Sequence, residues 1–254
     1  MMKFSSNAFT RITLPNLLVL TIISCATAQK DKYDSARDLF RAGEKLQKQK
    51  NYIRAKNKYQ QVLEDFPDSK ERILAQLLMA DSLYKGKEYE EAKVNYQKFI
   101  ELYPVHPQVD RAHFYRAMSD FRLIDLAARD QTSTRSAIEG FREIIERFPN
   151  SPYSKAAEKK KKESVRKLAE NTLIIGRFYY RNRSYLSAIN RLNGLLKTYP
   201  NEDFNDEAIF LLAESYLKEQ SYDKARSSYR LLLKRFPRSL FREKALKKLR
   251  KLGR

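Results

Sequence analysis

His106 and His113 lie seven residues apart, a spacing that puts both imidazoles on one face of a continuous helix and can begin a metal site. But Pro107 follows His106 and places it in a turn, and no cysteine or acidic cluster stands by to complete four ligands. No metal and no cofactor are expected. Nucleophile–base arrangements and glycine-rich phosphate loops are absent as well, so no enzymatic activity is expected. The reactive side chain left over is Cys25, the single cysteine of the 254-residue chain. A thiol with no partner in the same chain needs its own explanation, and acylation is one.

The residues before Cys25 have the form of an export signal. Lys3 and Arg11 give a positive start, and an apolar stretch from Leu14 to Ile23 follows, interrupted by Pro15 and Asn16. It is too short to span a bilayer comfortably, and polar residues come after it. Its end, Ile22-Ile23-Ser24-Cys25, resembles the lipobox of bacterial lipoproteins. In that family the signal is cut before the cysteine, whose thiol and amine are then acylated. The resemblance implies a signal peptide over 1–24 and a lipid attached at Cys25. Several acyl chains make a durable anchor where one holds weakly. Ala26 and Thr27 follow, with no aspartate, which in such lipoproteins favours the outer membrane. Residues 25–32 read as a short polar tether.

Charge bounds the partners. The net charge is +20, and Lys3 and Arg11 are the only charges before Cys25, which leaves +18 on the remainder. Nucleic acid, an anionic membrane or an acidic protein surface would each suit it. An export signal removes most nucleic acid from reach, so no nucleic-acid partner is expected. Six glycines, no tryptophan and 32% charged residues read as a helical chain with a hydrophilic surface.

The elements that must position any binding residue come from a repeat. Five times an alanine is followed by a proline twelve residues later: Ala55–Pro67, Ala92–Pro104, Ala137–Pro149, Ala188–Pro200 and Ala225–Pro237. An aromatic residue precedes each proline, and Tyr59, Tyr96, Phe141, Leu192 and Tyr229 stand four after each alanine. A small residue lies twelve before four of the alanines: Gly43, Ala80, Gly176 and Ala213. Small residues there let two antiparallel helices approach closely. The aromatics read as packing on helical stripes rather than as a cofactor box. Proline ends each second helix by disfavouring helix in the residue before it. Asp68 and Ser69 are placed to cap the next helix, and Pro152 is placed as a first-turn residue. The offsets resemble the tetratricopeptide repeat. The expected fold is therefore all-α: five tetratricopeptide-like helix–turn–helix repeats in a superhelix, with one long helix before repeat four.

Two departures interrupt the ruler. Pro149 to Gly176 spans 27 residues where the other repeats have 13, and the extra 14 are close to four helical turns. One long helix from about Ser154 to Arg181 is expected, with Lys159-Lys160-Lys161-Lys162 on a solvated basic face. Ala117 to Ala137 spans 20 residues instead of 12, which predicts a protruding loop around Ala128 to Ser133.

The lipobox, the repeats and the two inserts together resemble the BamD family, the repeat lipoproteins of the bacterial outer-membrane β-barrel assembly machine. Three segments carry the likeness: His106-Pro107-x-x-Asp110 with Tyr115-Arg116-Ala117; Arg129-Asp130-Gln131 with Phe148-Pro149-Asn150-Ser151-x-Tyr153; and Tyr179-Tyr180-x-x-Arg183 with Asn190-Arg191. The resemblance covers about residues 33–240, and a basic tail from Arg242 to Arg254 departs from it. It implies a non-enzymatic scaffold, lipid-anchored on the periplasmic face of the outer membrane. Its partners would be the BamA-like barrel-forming subunit and unfolded outer-membrane proteins. Arg183, Arg191, Tyr179, Tyr180, Arg129 and Asp130 would belong to the partner-binding surface. Arginine suits that role because its planar fork pairs bidentately with carboxylates.

The implied organisation is repeats one and two over 33–106, repeat three with its loop insert over 107–153, and the long helix, repeats four and five and the basic tail over 154–254. Another exported repeat adaptor lipoprotein, coordinating the cell envelope, would share the repeats but need neither insert.

Overall fold

The structure is a computed structural model, and it describes residues 35–124 and 131–253. The leader, Cys25 and the tether lie outside the described residues, as do Arg129 and Asp130. Eleven helices and no strand occur among the described residues. They run as hairpins: α1 (Ala36–Lys48) with α2 (Tyr52–Asp65), α3 (Glu71–Lys85) with α4 (Tyr89–Leu102), and α5 (Val109–Leu123) with α6 (Thr132–Arg147). Next come α7 (Ser154–Arg181) with α8 (Tyr185–Thr198), then α9 (Asn205–Lys218) with α10 (Tyr222–Arg235), and finally α11 (Arg242–Leu252). Each helix packs on the next in sequence, and the odd-numbered helices from α1 to α9 also touch one another.

The ruler is the core. All five of its alanines are fully buried, and so are Tyr59, Tyr96, Phe141, Leu192 and Tyr229. The small residue of the first helix seats the bulky residue of the second. A Cβ placed on Gly43 would lie 2.6 Å from Tyr59 Cε1, and one on Gly176 would lie 2.7 Å from Leu192 Cδ2. Neither position has room for a methyl group. The prolines do as expected: Phe66, Tyr103, Phe148, Tyr199 and Phe236 leave helical geometry with φ near −130° while still donating to the carbonyl four residues back.

The turn inside each hairpin is equally regular. Lys50, Lys87, Arg183 and Gln220, each five before a ruler alanine, have φ of 59°, 67°, 60° and 57°. A left-handed L-residue costs about 1–2 kcal/mol, so four non-glycine residues there show how strongly the hairpin packing dictates the turn. In repeat three the equivalent residue, Thr132, opens α6 instead. The loop expected to end at Ser133 therefore ends before Thr132.

Two capping expectations fail. Lys70 is the N-cap of α3 and makes no side-chain cap bond, while Ser69 Oγ donates back to the Phe66 carbonyl at 2.9 Å. Pro152 is not in the first turn of α7, because the N-cap is Tyr153. Ser151 closes that turn, its Oγ accepting from the Tyr153 N–H and donating to Asp110 at 2.6 Å. In both turns the serine bonds the turn backbone rather than a free helical N–H. The basic tail is likewise no tail: α11 is a helix whose Ala245, Leu249 and Leu252 pack on the repeat-five core.

Charged residues stitch neighbouring repeats from the position just after the small residue. Asp81 on α3 accepts from Tyr96 Oη at 2.7 Å and pairs with Arg111 on α5. Glu214 on α9 accepts from Tyr229 and from Lys248 of α11, the latter at 2.8 Å. Arg177 on α7 reverses the sign and grips Glu207 on α9 with two bonds of 2.7 Å. Burial raises the Asp81 pKa despite Arg111 and Tyr96 beside it. Repeat one lacks the arrangement, and the buried Tyr59 hydroxyl has no partner.

That contrast predicts opposite outcomes for one substitution. Tyr59→Phe removes an unsatisfied hydroxyl and leaves stability unchanged or higher. Tyr96→Phe and Tyr229→Phe each remove a bond to a carboxylate and cost about 1.5–3 kcal/mol. Urea denaturation midpoints of the three variants check this, and equal losses in all three would refute it.

A candidate docking face on repeat four

α7 belongs to two cores at once. Near its start Ala157 packs with Phe114, Phe141 and Ile144 of repeat three. Further along, Ala169 and Leu173 pack with Ala188, Leu192 and Ala208 of repeats four and five. The inserted turns carry the later part past the buried core of repeat three and into that of repeats four and five. The consequence shows at the two positions flanking the small residue by two.

At the later of the two, other repeats bury serine: Ser82, Ser119 and Ser215, with Gln47 of repeat one bonding Ser82 Oγ at 3.0 Å. At the earlier one Leu78 and Tyr115 are half-buried and Leu211 is buried. In repeat four the same positions are Ile174 and Phe178, exposed at 56% and 58%. Repeat one, which has no described repeat before it, exposes Arg41 and Lys45 there. An open face made basic is a solvated end. An open face made apolar is a surface with something to bury.

Beside that face runs a groove of about 520 Å³ between α6, α7 and α8. Arg135, Leu168, Thr172, Tyr179, Asn190 and Arg191 are among the residues that line it. Phe178 meets Tyr179 edge to face, ring centroids 5.8 Å apart, which joins the apolar face to the groove. Gly194 forms part of the wall, and a Cβ there would meet nothing within 4 Å.

The residues singled out from the sequence divide here. Tyr179 and Arg191 share the groove. Tyr180 is not among the lining residues: its ring packs 5.8 Å from Tyr185, and burial, then Glu214, raise its pKa. Arg183 sits exposed in the left-handed turn that follows α7. Neither Arg183 nor Arg191 makes an ion pair with a described residue, so both guanidinium groups are open to an outside carboxylate. Ile174, Phe178 and Arg135 were not identified from the sequence. Their signal was present in the 14-residue excess, which says that the helix outruns its neighbour.

A second groove, about 790 Å³, lies between α4, α5 and α6 and also escaped the sequence reading. Its polar wall is knit by Lys93–Asp120 at 2.8 Å and Arg116–Glu143 at 2.6 Å. Gly140 lets α6 approach α5 there, a Cβ falling 2.8 Å from that of Ala117. His113 is buried behind this wall, its Nδ1 3.3 Å from Glu143 and its ring against Phe148. His106 lies elsewhere, in the turn after α4, with its ring against Phe99. No group of three or more His, Cys, Asp or Glu among the described residues could hold a metal.

Comparison with known proteins gives a consistent picture. The family model described as YfiO, outer membrane lipoprotein, matches residues 32–231. The outer membrane protein assembly factor BamD of Neisseria gonorrhoeae is 30% identical over 223 residues, covering 81% of this chain and 84% of that protein. BamD of Rickettsia prowazekii is 26% identical over 210 residues, covering 82% of this chain and 84% of its own length. Among solved structures, the TPR2AB domains of yeast Sti1 in a pHSP90 complex align with a TM-score of 0.44 at 16% identity. That alignment covers 80% of this chain and 78% of that one.

His113 makes repeat three sensitive to acid. Burial lowers its pKa below 6.5; Glu143 opposes this, and Arg116 and Arg147 add to it. A folded-state pKa below the unfolded one stabilises the fold at pH above 6.5, and that contribution is lost as the pH falls through the folded value. His113→Gln should flatten the pH dependence of the melting temperature between neutral pH and about pH 5. An unchanged profile would show that other groups govern it.

Proposed function

Because the chain belongs to the YfiO/BamD family of outer membrane lipoproteins, we propose that it is the scaffold of an outer-membrane β-barrel assembly machine. The periplasmic domain of the barrel-forming subunit docks on repeats three to five. Unfolded outer-membrane clients engage the N-terminal repeats. A lipid on Cys25 holds the protein to the outer membrane on the periplasmic side, and residues 1–24 are the signal removed before acylation. The scaffold itself catalyses no reaction.

The single observation that carries the docking assignment is the uncovered repeat face on α7. Phe178 stands where other repeats bury serine, and Ile174, one turn earlier, is exposed as well, beside a groove that holds Tyr179 and Arg191, which has no ion pair among the described residues. Apolar and aromatic anchors next to an arginine match the composition of binding hot spots. The arginines select an acidic patch on the partner, since a carboxylate can take both N–H bonds of one guanidinium.

Affinity capture from detergent-solubilised outer membranes tests this reading. The wild-type chain should recover the barrel-forming subunit, and Arg191→Glu and Phe178→Ser should each lower recovery at least tenfold. Arg183→Gly should weaken capture while keeping or raising the melting temperature, because glycine relieves the left-handed turn. Lys161→Glu should change nothing. Capture that ignores Arg191 and Phe178 but depends on Lys161 would place the interface elsewhere. Separately, Cys25→Ser should release the protein to the soluble fraction, and unchanged membrane association would remove the lipid anchor from the proposal.

A further inference from the structure

The C-terminal helix carries a surface that the repeat packing does not use. Ala245, Leu249 and Leu252 of α11 turn inward on Ile209, Ala213, Ala225, Tyr229 and Leu232. Lys248 reaches down to Glu214 at 2.8 Å. On the opposite side Lys244, Lys247, Arg250 and Lys251 are all exposed, spread over about a third of the helix circumference at 100° per residue. Glu243 is the only acid on α11, and Arg242 is already paired with it. Lys247, Arg250 and Lys251 have no ion-pair partner among the described residues.

A terminal repeat needs a polar outer face for solubility. That need does not explain why the face carries four cations against one acid, Glu243, itself paired with Arg242. Several basic side chains elsewhere are compensated: Lys160 with Glu163, Arg142 with Glu139, and Arg166 with Glu170 and Asp203. At the entrance to α11 the turn adds Arg238, exposed, and Leu240, whose side chain is 93% exposed between Arg238 and Arg242. Leu240 packs on nothing that would account for an apolar residue at a basic turn.

From these observations we infer that the outer face of α11 and the turn before it form a docking surface for anionic phospholipid. The stripe matches a fluid layer of headgroups better than a shaped acidic pocket. Its cations are long and flexible, and Lys247, Arg250 and Lys251 have no ion pair among the described residues, so they supply a field rather than a fixed constellation of bonds. An exposed leucine flanked by arginines suits the boundary between headgroups and acyl chains, where an apolar side chain sinks and guanidinium groups stay with phosphate. The chain belongs to a family of outer membrane lipoproteins, so such a layer lies within its reach. The surface is separate from the α7–α8 groove and does not depend on the barrel-forming partner docking there. A lipid tail at one end and a charged helix at the other would hold the scaffold at two points, and weak contacts add strongly when tethered.

Flotation tests the inference. The full mature chain carrying Cys25→Ser, so that no acyl chain contributes, is mixed at low salt with vesicles of equal parts phosphatidylglycerol and phosphatidylcholine, or of phosphatidylcholine alone. It should float with the anionic vesicles only and be released by added salt. Reversing Lys247, Arg250 and Lys251 to glutamate should abolish flotation, since each cation near such a surface contributes roughly fivefold in partitioning. Leu240→Ser should weaken it, and Lys159→Glu with Lys162→Glu on α7 should reduce it less than the α11 variant does. Equal flotation with neutral vesicles, or flotation of the α11 variant like the parent, would overturn the proposal. So would an α11 variant that floats normally but no longer captures the barrel-forming subunit, because that result makes the stripe a protein interface.

Discussion

The fold depends on one close approach repeated along the chain. In repeats one and four the bulky residue four after the ruler alanine presses against the small residue of the partner helix, with no space for a methyl group at Gly43 or Gly176. That contact sets the separation of the two helices and hence the tight turn between them. It forces Lys50, Lys87, Arg183 and Gln220 into left-handed geometry. It also places the next residue along, Asp81, Arg177 or Glu214, where it reaches the neighbouring repeat. Packing and charge pairing are therefore two consequences of one spacing.

Repeat arrays are stable because each unit covers the next. The 28 residues of α7 suspend that rule for part of a helix. The later part packs on its own hairpin partner and the following repeat, and it presents Ile174 and Phe178 to solvent. An array that exposes apolar side chains in its interior loses burial that a regular array would keep. A partner that covers them restores it. The same insert that breaks the repeat thus makes a surface that a regular array would not have.

Electrostatics separates the surface into kinds. Where a charge is buried it is paired, as at Asp81 and Glu214, and such pairs hold neighbouring repeats in a fixed relation. Where charges are exposed and compensated, as at Arg142 and Arg166, they contribute little. Arg183, Arg191 and the outer face of α11 are exposed and uncompensated, which leaves them for recognition.

The sequence by itself determined the repeat, its core and its breaks. Ala55, Tyr59 and their counterparts recur at intervals that only a stack of helical hairpins satisfies, and a 14-residue excess that keeps helical register can only lengthen a helix. It also marked Tyr179 and Arg191 through their likeness to a family. It could not separate Tyr179 from Tyr180, because adjacent helical residues point about 100° apart and the neighbours that decide burial come from α8 and α9. It misplaced the caps at Ser69 and Pro152, where a serine bonds its own turn instead of a helix end. Only the tertiary structure showed that Ile174 and Phe178 are exposed and that α11 is a helix with one face spent on the core. Exposure is a property of what stands opposite, and what stands opposite is fixed by contacts between residues distant in the chain.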